Sequence, residues 1–210
     1  MGLTRPSKVV CVGRNYAAHA KELGNALPER PLIFLKPPSA VIGDGDTIML
    51  PPDSKQVEHE AEIGIVIGLR LHRGDEAAAR KAIAGVTCVN DVTARDLQKS
   101  DVQFTRAKGF DTFCPIGPRV LPVGADFDYR TLEVRCRVNG QERQHGRATD
   151  MAFNIPMVVA YISRIMTLEP GDVIATGTPE GVGPLTAGDV VEVEVSGVGV
   201  LRNHVASSGV

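Results

Sequence analysis

The chain has 210 residues, 43% hydrophobic and 23% charged, with a formal net charge of −2, which fits a globular protein forming one domain over residues 1–210. A near-neutral charge with dispersed Lys and Arg excludes the basic footprint of a nucleic-acid binder or of a protein held on an anionic membrane. Aromatic residues at 4% and the absence of Trp argue against stacked bases or a sugar platform.

At the N-terminus, residues 1–6 lack the apolar core of a signal peptide, and Pro6 breaks the myristoylation pattern. Residues 8–12 read as a short buried strand, and 16–23 as a helix ended by Gly24. A strand over 32–35 leads into a proline turn, and a turn over 43–46 precedes a strand over 47–50. Residues 57–68 alternate and are rich in Ile and Val, which predicts one continuous strand. An alanine-rich helix over 76–83 precedes a strand over 85–90. Residues 91–98 read as a helical turn or short helix, and 99–109 as a polar stretch without periodicity. Asn139-Gly140 predicts the tip of a hairpin between 132–138 and Gln144. The clearest helix is 154–166, with Asn154 as N-cap and Pro156 in its first turn. Its apolar stripe is Ile155, Val158, Val159, Ile162, Ile165 and Met166. Strands follow over 173–176, 190–195 and 199–203. Strands dominate, so the expected class is α+β with a large mixed sheet system. Cys11, Cys88, Cys114 and Cys136 are widely spaced with no Cys-x-x-Cys, so buried free thiols and a cytoplasmic location are expected.

The most informative feature is Glu60 and Glu62, two residues apart on the 57–68 strand. Side chains alternate with period 2, so both acids share a face with Gly64 and Val66, while Ile63, Ile65 and Ile67 take the other. Their Cα atoms would lie about 6.6 Å apart, from a rise of about 3.3 Å per residue. Two carboxylates so close on an apolar strand repel each other and resist desolvation. A divalent cation between them removes both problems, and all-oxygen ligation points to Mg²⁺, Mn²⁺ or Ca²⁺ rather than zinc. A solvated strand face is the plain alternative. Gly64 is expected to leave room for a ligand beside the acids. His59 does not open a zinc-protease motif, because position 63 is Ile.

Other constellations are individually unspecific. His19 and Glu22 are three apart on the first helix, where a carboxylate would raise the imidazole's basicity and fix its tautomer, or form an incidental surface pair. Asp91 ends a strand, either as a helix N-cap or as a third oxygen ligand. Arg95 would pair with those carboxylates, with substrate, or on the surface. Lys108 would need burial near the cation to serve as an anion binder or proton donor. Residues 176–183 are glycine-rich without a Walker or G-x-G-x-x-G pattern; their amides and the Thr178 hydroxyl would hold a carboxylate, or simply make a tight turn.

Their order and company are specific. Val12-Gly13-Arg14-Asn15-Tyr16 with His19 and Glu22, then Pro31-Leu32-Ile33-Phe34-Leu35-Lys36-Pro37, form the first part of the series. His59-Glu60-x-Glu62-Ile63-Gly64 and Asn90-Asp91-Val92-Thr93-Ala94-Arg95-Asp96-Leu97-Gln98 follow. Lys108-Gly109-Phe110-Asp111 and Thr176-Gly177-Thr178-Pro179-x-Gly181-Val182-Gly183 complete it. Over about residues 8–205 this series resembles the fumarylacetoacetate hydrolase family, in its short branch of acylpyruvases, oxaloacetate decarboxylases and isomerase/decarboxylases of aromatic degradation. The resemblance implies a mixed β-sandwich roll, a homodimer, and one Mg²⁺ or Mn²⁺ per subunit, with Ca²⁺ able to substitute. It implies Glu60, Glu62 and Asp91 as metal ligands, and His19 with Glu22 as a water-activating dyad on a lid near 14–24. Lys108 would face the substrate anion, and Arg14, Arg95, Gln98 and Thr178 would bind substrate or support the site. The extra N-terminal domain of the longer members is not expected here, and 99–107 reads as short for the branch.

The implied chemistry is cleavage of a C–C bond in a small 2-oxoacid, foremost acylpyruvate hydrolysis to pyruvate and a carboxylate, with the cation as Lewis acid. Oxaloacetate decarboxylation would use the same site without an attacking water. The alternative is a 2-hydroxyhepta-2,4-diene-1,7-dioate isomerase or decarboxylase, with Arg14 or Arg106 meeting the second carboxylate. A non-catalytic ligand-binding scaffold is the rival from another class.

Overall fold

The structure, a computed structural model, describes residues 5–22, 24 and 26–208. The chain begins with β1 (Val9–Gly13), α1 (Ala17–Glu22), β2 (Leu32–Lys36), β3 (Val41–Ile42) and β4 (Thr47–Leu50). It continues through β5 (Val57–His59), β6 (Ala61–Ile67), α2 (Glu76–Ala82), β7 (Ile83–Asn90) and β8 (Thr93–Ala94). Next come α3 (Arg95–Ser100), α4 (Thr105–Gly109), β9 (Cys114–Pro122), β10 (Glu133–Val138) and β11 (Gln141–Arg147). The last elements are α5 (Ile155–Ile165), β12 (Val173–Ala175), β13 (Gly183–Pro184), β14 (Val190–Val195) and β15 (Gly199–Ser207).

A seven-stranded mixed sheet has the order β2-β1-β12-β6-β7-β9-β3, and a five-stranded sheet the order β11-β10-β14-β15-β4. Period-2 alternation decides how they pack. Ile63, Ile65 and Ile67 of β6 share a core with Val134, Cys136, Val191, Val193 and Leu201 of the second sheet. Val66, Val9, Cys11, Val173 and Ala175 form a smaller cluster on the opposite face of the first. Helix α5 closes the main core with Val158, Val159 and Ile162, against Ala79 and Ala82 of α2. Its Asn154 cap accepts from Met157 N at 3.0 Å. The α+β, strand-dominated class expected from the sequence is what the chain adopts.

Several local expectations need correction. The 57–68 stretch is two strands, not one: β5 joins a three-stranded sheet, β13-β5-β8, and β6 joins the large one. The chain changes sheets at Glu60, which belongs to neither. Residues 91–98 contain the short strand β8 before α3 begins at Arg95, and 99–109 contains the helix α4. Ile165 lies outside the buried stripe of α5, at 54% exposure. Strand β9 carries no clear strand signal in the sequence because Pro115 and Pro118 punctuate it, and Pro118 falls where the β7–β9 register shifts. The expected end of the first helix at Leu23 and the N-terminal residues 1–4 lie outside the described residues. Gly24, at φ +70°, donates its N–H to Lys21 O at 3.0 Å.

Candidate active site

Buried charge collects where β6 begins and β7 ends. Glu60 sits at the break before β6, Glu62 lies on β6, and Asp91 directly follows β7. The Asp91 N–H donates to the Glu60 carbonyl at 2.8 Å, extending the β6–β7 pairing by one residue. Glu60, Glu62 and Asp91 can each offer a carboxylate oxygen within 4.8 Å of the other two, and all three residues are buried.

Three cations thread this cluster. Arg95 donates from Nε to Glu58 Oε2 at 2.7 Å, from Nη2 to Glu60 Oε1 at 2.5 Å and from Nη1 to Gln98 Oε1 at 2.5 Å. Lys108 Nζ donates to Glu60 Oε2 at 2.8 Å and Asp91 Oδ2 at 2.6 Å. Lys36 Nζ donates to Asp91 Oδ1 at 2.6 Å and to the Val92 carbonyl at 2.9 Å. Among the described residues no cation pairs with Glu62; its Oε2 accepts the Gly177 N–H at 2.7 Å.

The electrostatic consequences differ between the two glutamates. Burial alone would raise the Glu60 carboxyl, but the Lys108 and Arg95 charges outweigh it and hold that group well below the usual carboxylate range. Burial, with Asp91 and Glu60 adding repulsion, drives the Glu62 carboxyl well above that range. Burial opposes the Lys108 charge, yet the Asp91 and Glu60 carboxylates hold its ammonium above its ordinary value. The donor set fits a hard divalent cation: three carboxylate oxygens, one of them on a buried acid lacking positive charge. Of the thiols nearest this cluster, Cys114 is pushed up to about 12 by burial, so it stays protonated. Cys11 is likewise raised by burial.

Above the acids lies a cavity of about 270 Å³, lined among others by His19, Arg14, Gln98, Lys99, Lys108 and Thr178. Leu32, Phe34 and Phe104 form its apolar wall, with Phe34 and Phe104 edge to face at 5.5 Å. His19 descends from α1, 5% exposed, with Nδ1 3.2 Å from Glu22 Oε2. Glu22 is solvent-exposed and stands behind the imidazole rather than in the cavity wall. Its carboxylate also accepts the Gly181 N–H, at 3.1 and 3.3 Å.

The structure thus gathers His19, Glu60, Glu62, Asp91, Lys108, Arg14, Arg95, Gln98 and Thr178 around one cavity. Arg106 is elsewhere: it pairs with Asp101 at the surface, at 2.6 Å. Gly64 leaves no ligand space, because a Cβ there would meet Val89 Cγ2 at 2.5 Å; it lets adjacent strands pack. The amides of the 176–183 loop do hold carboxylates, but the protein's own, Glu62 and Glu22. The Thr178 O–H is committed to the Ala61 carbonyl at 2.9 Å, leaving no hydrogen to donate to a ligand. Sequence reasoning passed over Lys36, Glu58 and Gln144 as site residues. Lys36 had a signal, a lysine closing the apolar run of β2, and Glu58 stands two residues before Glu60.

The family model described as fumarylacetoacetate (FAA) hydrolase C-terminal matches residues 8–206. The chain belongs to the fumarylacetoacetate hydrolase family. It is 47% identical over 196 residues to oxaloacetate tautomerase FAHD1, mitochondrial, of Arabidopsis thaliana, covering 91% of this chain and 87% of that one. The solved structure of 5-carboxymethyl-2-hydroxymuconate delta-isomerase from Mycobacterium smegmatis matches with TM-score 0.90 at 50% identity, covering 98% of this chain and 81% of that one. The structure of 2-hydroxyhepta-2,4-diene-1,7-dioate isomerase from Mycobacterium marinum matches with TM-score 0.89 at 46% identity, covering 98% and 77%. Among the described residues no helix is long and apolar enough to cross a membrane.

Proposed function

We propose that this chain is a divalent-metal-dependent enzyme that moves a proton at the carbon next to the carbonyl of a small 2-oxo dicarboxylic acid. Keto–enol interconversion of oxaloacetate or a near homologue is the reading we favour. The observation that carries it is the meeting of one carboxylate-backed histidine and one buried three-carboxylate cluster at a cavity of about 270 Å³. The names of the similar tautomerase and isomerases support the same class, since each of those reactions shifts a proton and a double bond.

Glu60, Glu62 and Asp91 would hold the cation. When bound, it would supply Lewis acidity toward a 2-oxo group and so acidify the neighbouring C–H. The chain's own groups carry the proton. The Glu22 carboxylate accepts from Nδ1–H of His19, which leaves Nε2 with a lone pair as the general base. Returning that proton to oxygen rather than carbon completes the interconversion. Lys108, fixed by Glu60 and Asp91, brings a buried ammonium to the substrate's oxygens. Arg14, with Lys99 beside it in the lining, would meet the second carboxylate. Four buried carboxylates, Glu58, Glu60, Glu62 and Asp91, face three cations, Lys36, Arg95 and Lys108. A divalent cation would therefore leave the site about one charge positive, suited to an anionic substrate.

Acylpyruvate hydrolysis is the second reading, favoured by the same His19–Glu22 contact at 3.2 Å, which is equally able to deprotonate water. A homodimer is a further proposal. It is supported by the edge strand β2, which presents Leu35 at 47% exposure. Metal-loaded protein assayed side by side on oxaloacetate, acetylpyruvate and a 2-hydroxy-dienedioate tests the function. Fastest turnover of oxaloacetate enol supports the first reading, fastest acetylpyruvate cleavage the second, and inactivity on all three refutes both.

A further inference from the structure

Gln144 makes no contact with the cavity, yet its amide uses every hydrogen-bonding position it has. Its Oε1 accepts the Ala61 N–H at 3.0 Å and lies 2.9 Å from His59 Nδ1. Its Nε2 donates to Thr178 Oγ1 and to the Pro179 carbonyl, both at 2.8 Å. The orientation is forced: turning the amide over would set its NH₂ against the Ala61 N–H and its oxygen against the Pro179 carbonyl. Gln144 comes from β11, in the five-stranded sheet, whereas Ala61 separates Glu60 from Glu62 in the other.

The backbone around Gln144 has the same outcome. Cys136 pairs with Gln144 and Arg137 with Glu142, so Arg143 is an extra residue bulged out of β11. Gly181, at φ +92°, lies on that bulge so closely that a Cβ would sit 2.1 Å from the Arg143 carbonyl oxygen. The N–H of Gly181 is the group that donates to the Glu22 carboxylate. Two residues on from Gln144, Gly146 admits Pro179, whose Cβ would lie 2.6 Å from an added side chain.

We propose that Gln144 is a positioning residue for the His19–Glu22 pair. It ties the 178–181 loop to the segment bearing Glu60 and Glu62, and the loop in turn presents the Gly181 amide that seats Glu22. The catalytic consequence rests on the function proposed above; the positioning itself does not.

Two readouts keep these apart. Hydrogen exchange is measured on α1 and on Gly181 in wild type, Gln144→Met and Gln144→Glu, all with oxalate plus Mg²⁺ present, with α5 as the control for an intact fold. Gln144→Glu keeps an oxygen toward Ala61 and His59 but has no N–H for Thr178 and Pro179, so it serves if the methionine variant does not fold. Both variants are expected to expose α1 and Gly181 while leaving α5 protected. Unchanged protection of α1 and Gly181 overturns the proposal. Turnover of oxaloacetate enol is then compared in Gln144→Met, Glu22→Ala and the double variant, at saturating Mg²⁺ and substrate. The expected result is a kcat loss of about tenfold or more in Gln144→Met, up to the about 10²–10⁴-fold of a wholly lost general base. No further loss is expected when the substitution is added to Glu22→Ala. Additive losses mean that Gln144 acts by another route and contradict the proposal. Exposure of α1 in a protein whose wild type does not turn over oxaloacetate would support the positioning and refute the function.

Discussion

Glu60 and Glu62 stand two residues apart, and Arg95 and Lys108 both bond the first while the second meets the Gly177 N–H at 2.7 Å. One acid is therefore an integral part of the buried ion network, and the other is a buried carboxyl with no cation beside it among the described residues. Their substitutions should act in opposite directions on the metal-free protein. Glu62→Gln is expected to raise its stability by about 1–3 kcal/mol, by removing an uncompensated buried group. At this chain length that corresponds to about 2–4 °C of Tm per kcal/mol. Glu60→Gln should cost about 3–5 kcal/mol, because Arg95 and Lys108 each lose a buried partner. Thermal denaturation after chelation checks both, and losses of equal size would contradict the assignment.

The pH dependence of those variants follows with its sign. The Glu62 carboxyl is raised in the fold, so its contribution is fully present below the unfolded value of about 4.3. It is lost as pH rises through the folded value. The Glu60 carboxyl is lowered, so its contribution is present above about 4.3 and lost as pH falls through the folded value. The stability gain of metal-free Glu62→Gln should accordingly grow from about pH 4.3 upward, and the deficit of Glu60→Gln should shrink below it. Denaturant melts from pH 3 to 8 read both trends; a gain for Glu62→Gln confined to acid pH would refute the account.

His19→Ala should slow enol–keto conversion and acylpyruvate hydrolysis by about 10²–10⁴-fold, the usual cost of a lost general base. Decarboxylation of oxaloacetate, which needs no base to remove a proton, should fall much less. Equal losses in all three reactions would reduce His19 to a substrate contact.

Arg14→Ala should raise KM for a dicarboxylate by about tenfold or more, since a hydrogen bond to a charged group contributes about 1.5–3 kcal/mol. Arg106→Ala should leave KM unchanged, because Arg106 pairs with Asp101 outside the cavity. Steady-state kinetics on both variants provides the comparison, and the reverse pattern would overturn the assignment of the distal end.

The segment 14–24 should exchange its amide hydrogens quickly without ligand and slowly with oxalate plus Mg²⁺. Helix α1 has only six residues, too few to be stable alone in water. Its hold on the rest of the molecule includes the exposed Glu22–Gly181 contact. Closure over a chelating anion would exclude water from the pair. Strong protection in the free protein, unchanged by oxalate, would show that the helix is a fixed part of the fold.

What the sequence disclosed were features set by local spacing. Glu60 and Glu62, the Asn139-Gly140 hairpin and the capped helix α5 depend on neighbours within a few residues. The partners recruited by sheet pairing were not legible. Lys36 reaches Asp91 from 55 residues away, and Gln144 reaches Ala61 from 83. The break at Glu60 was hidden because alternation continues unbroken while the chain changes sheets. Helix α4 has five residues, too short for a 3.6-residue period to emerge, so Lys108 read as a loop lysine although it is 2% exposed.

The most direct test of metal-dependent proton transfer is exchange of the C3 hydrogens of oxaloacetate with D₂O, followed by proton NMR on the same enzyme stock. Mg²⁺-loaded wild type should exchange them rapidly. Chelated wild type and Glu62→Gln with Mg²⁺ should each be slower by at least about 10²-fold, the lower range for a lost catalytic group. Equal exchange rates in the loaded wild type, the chelated wild type and Glu62→Gln would contradict the account.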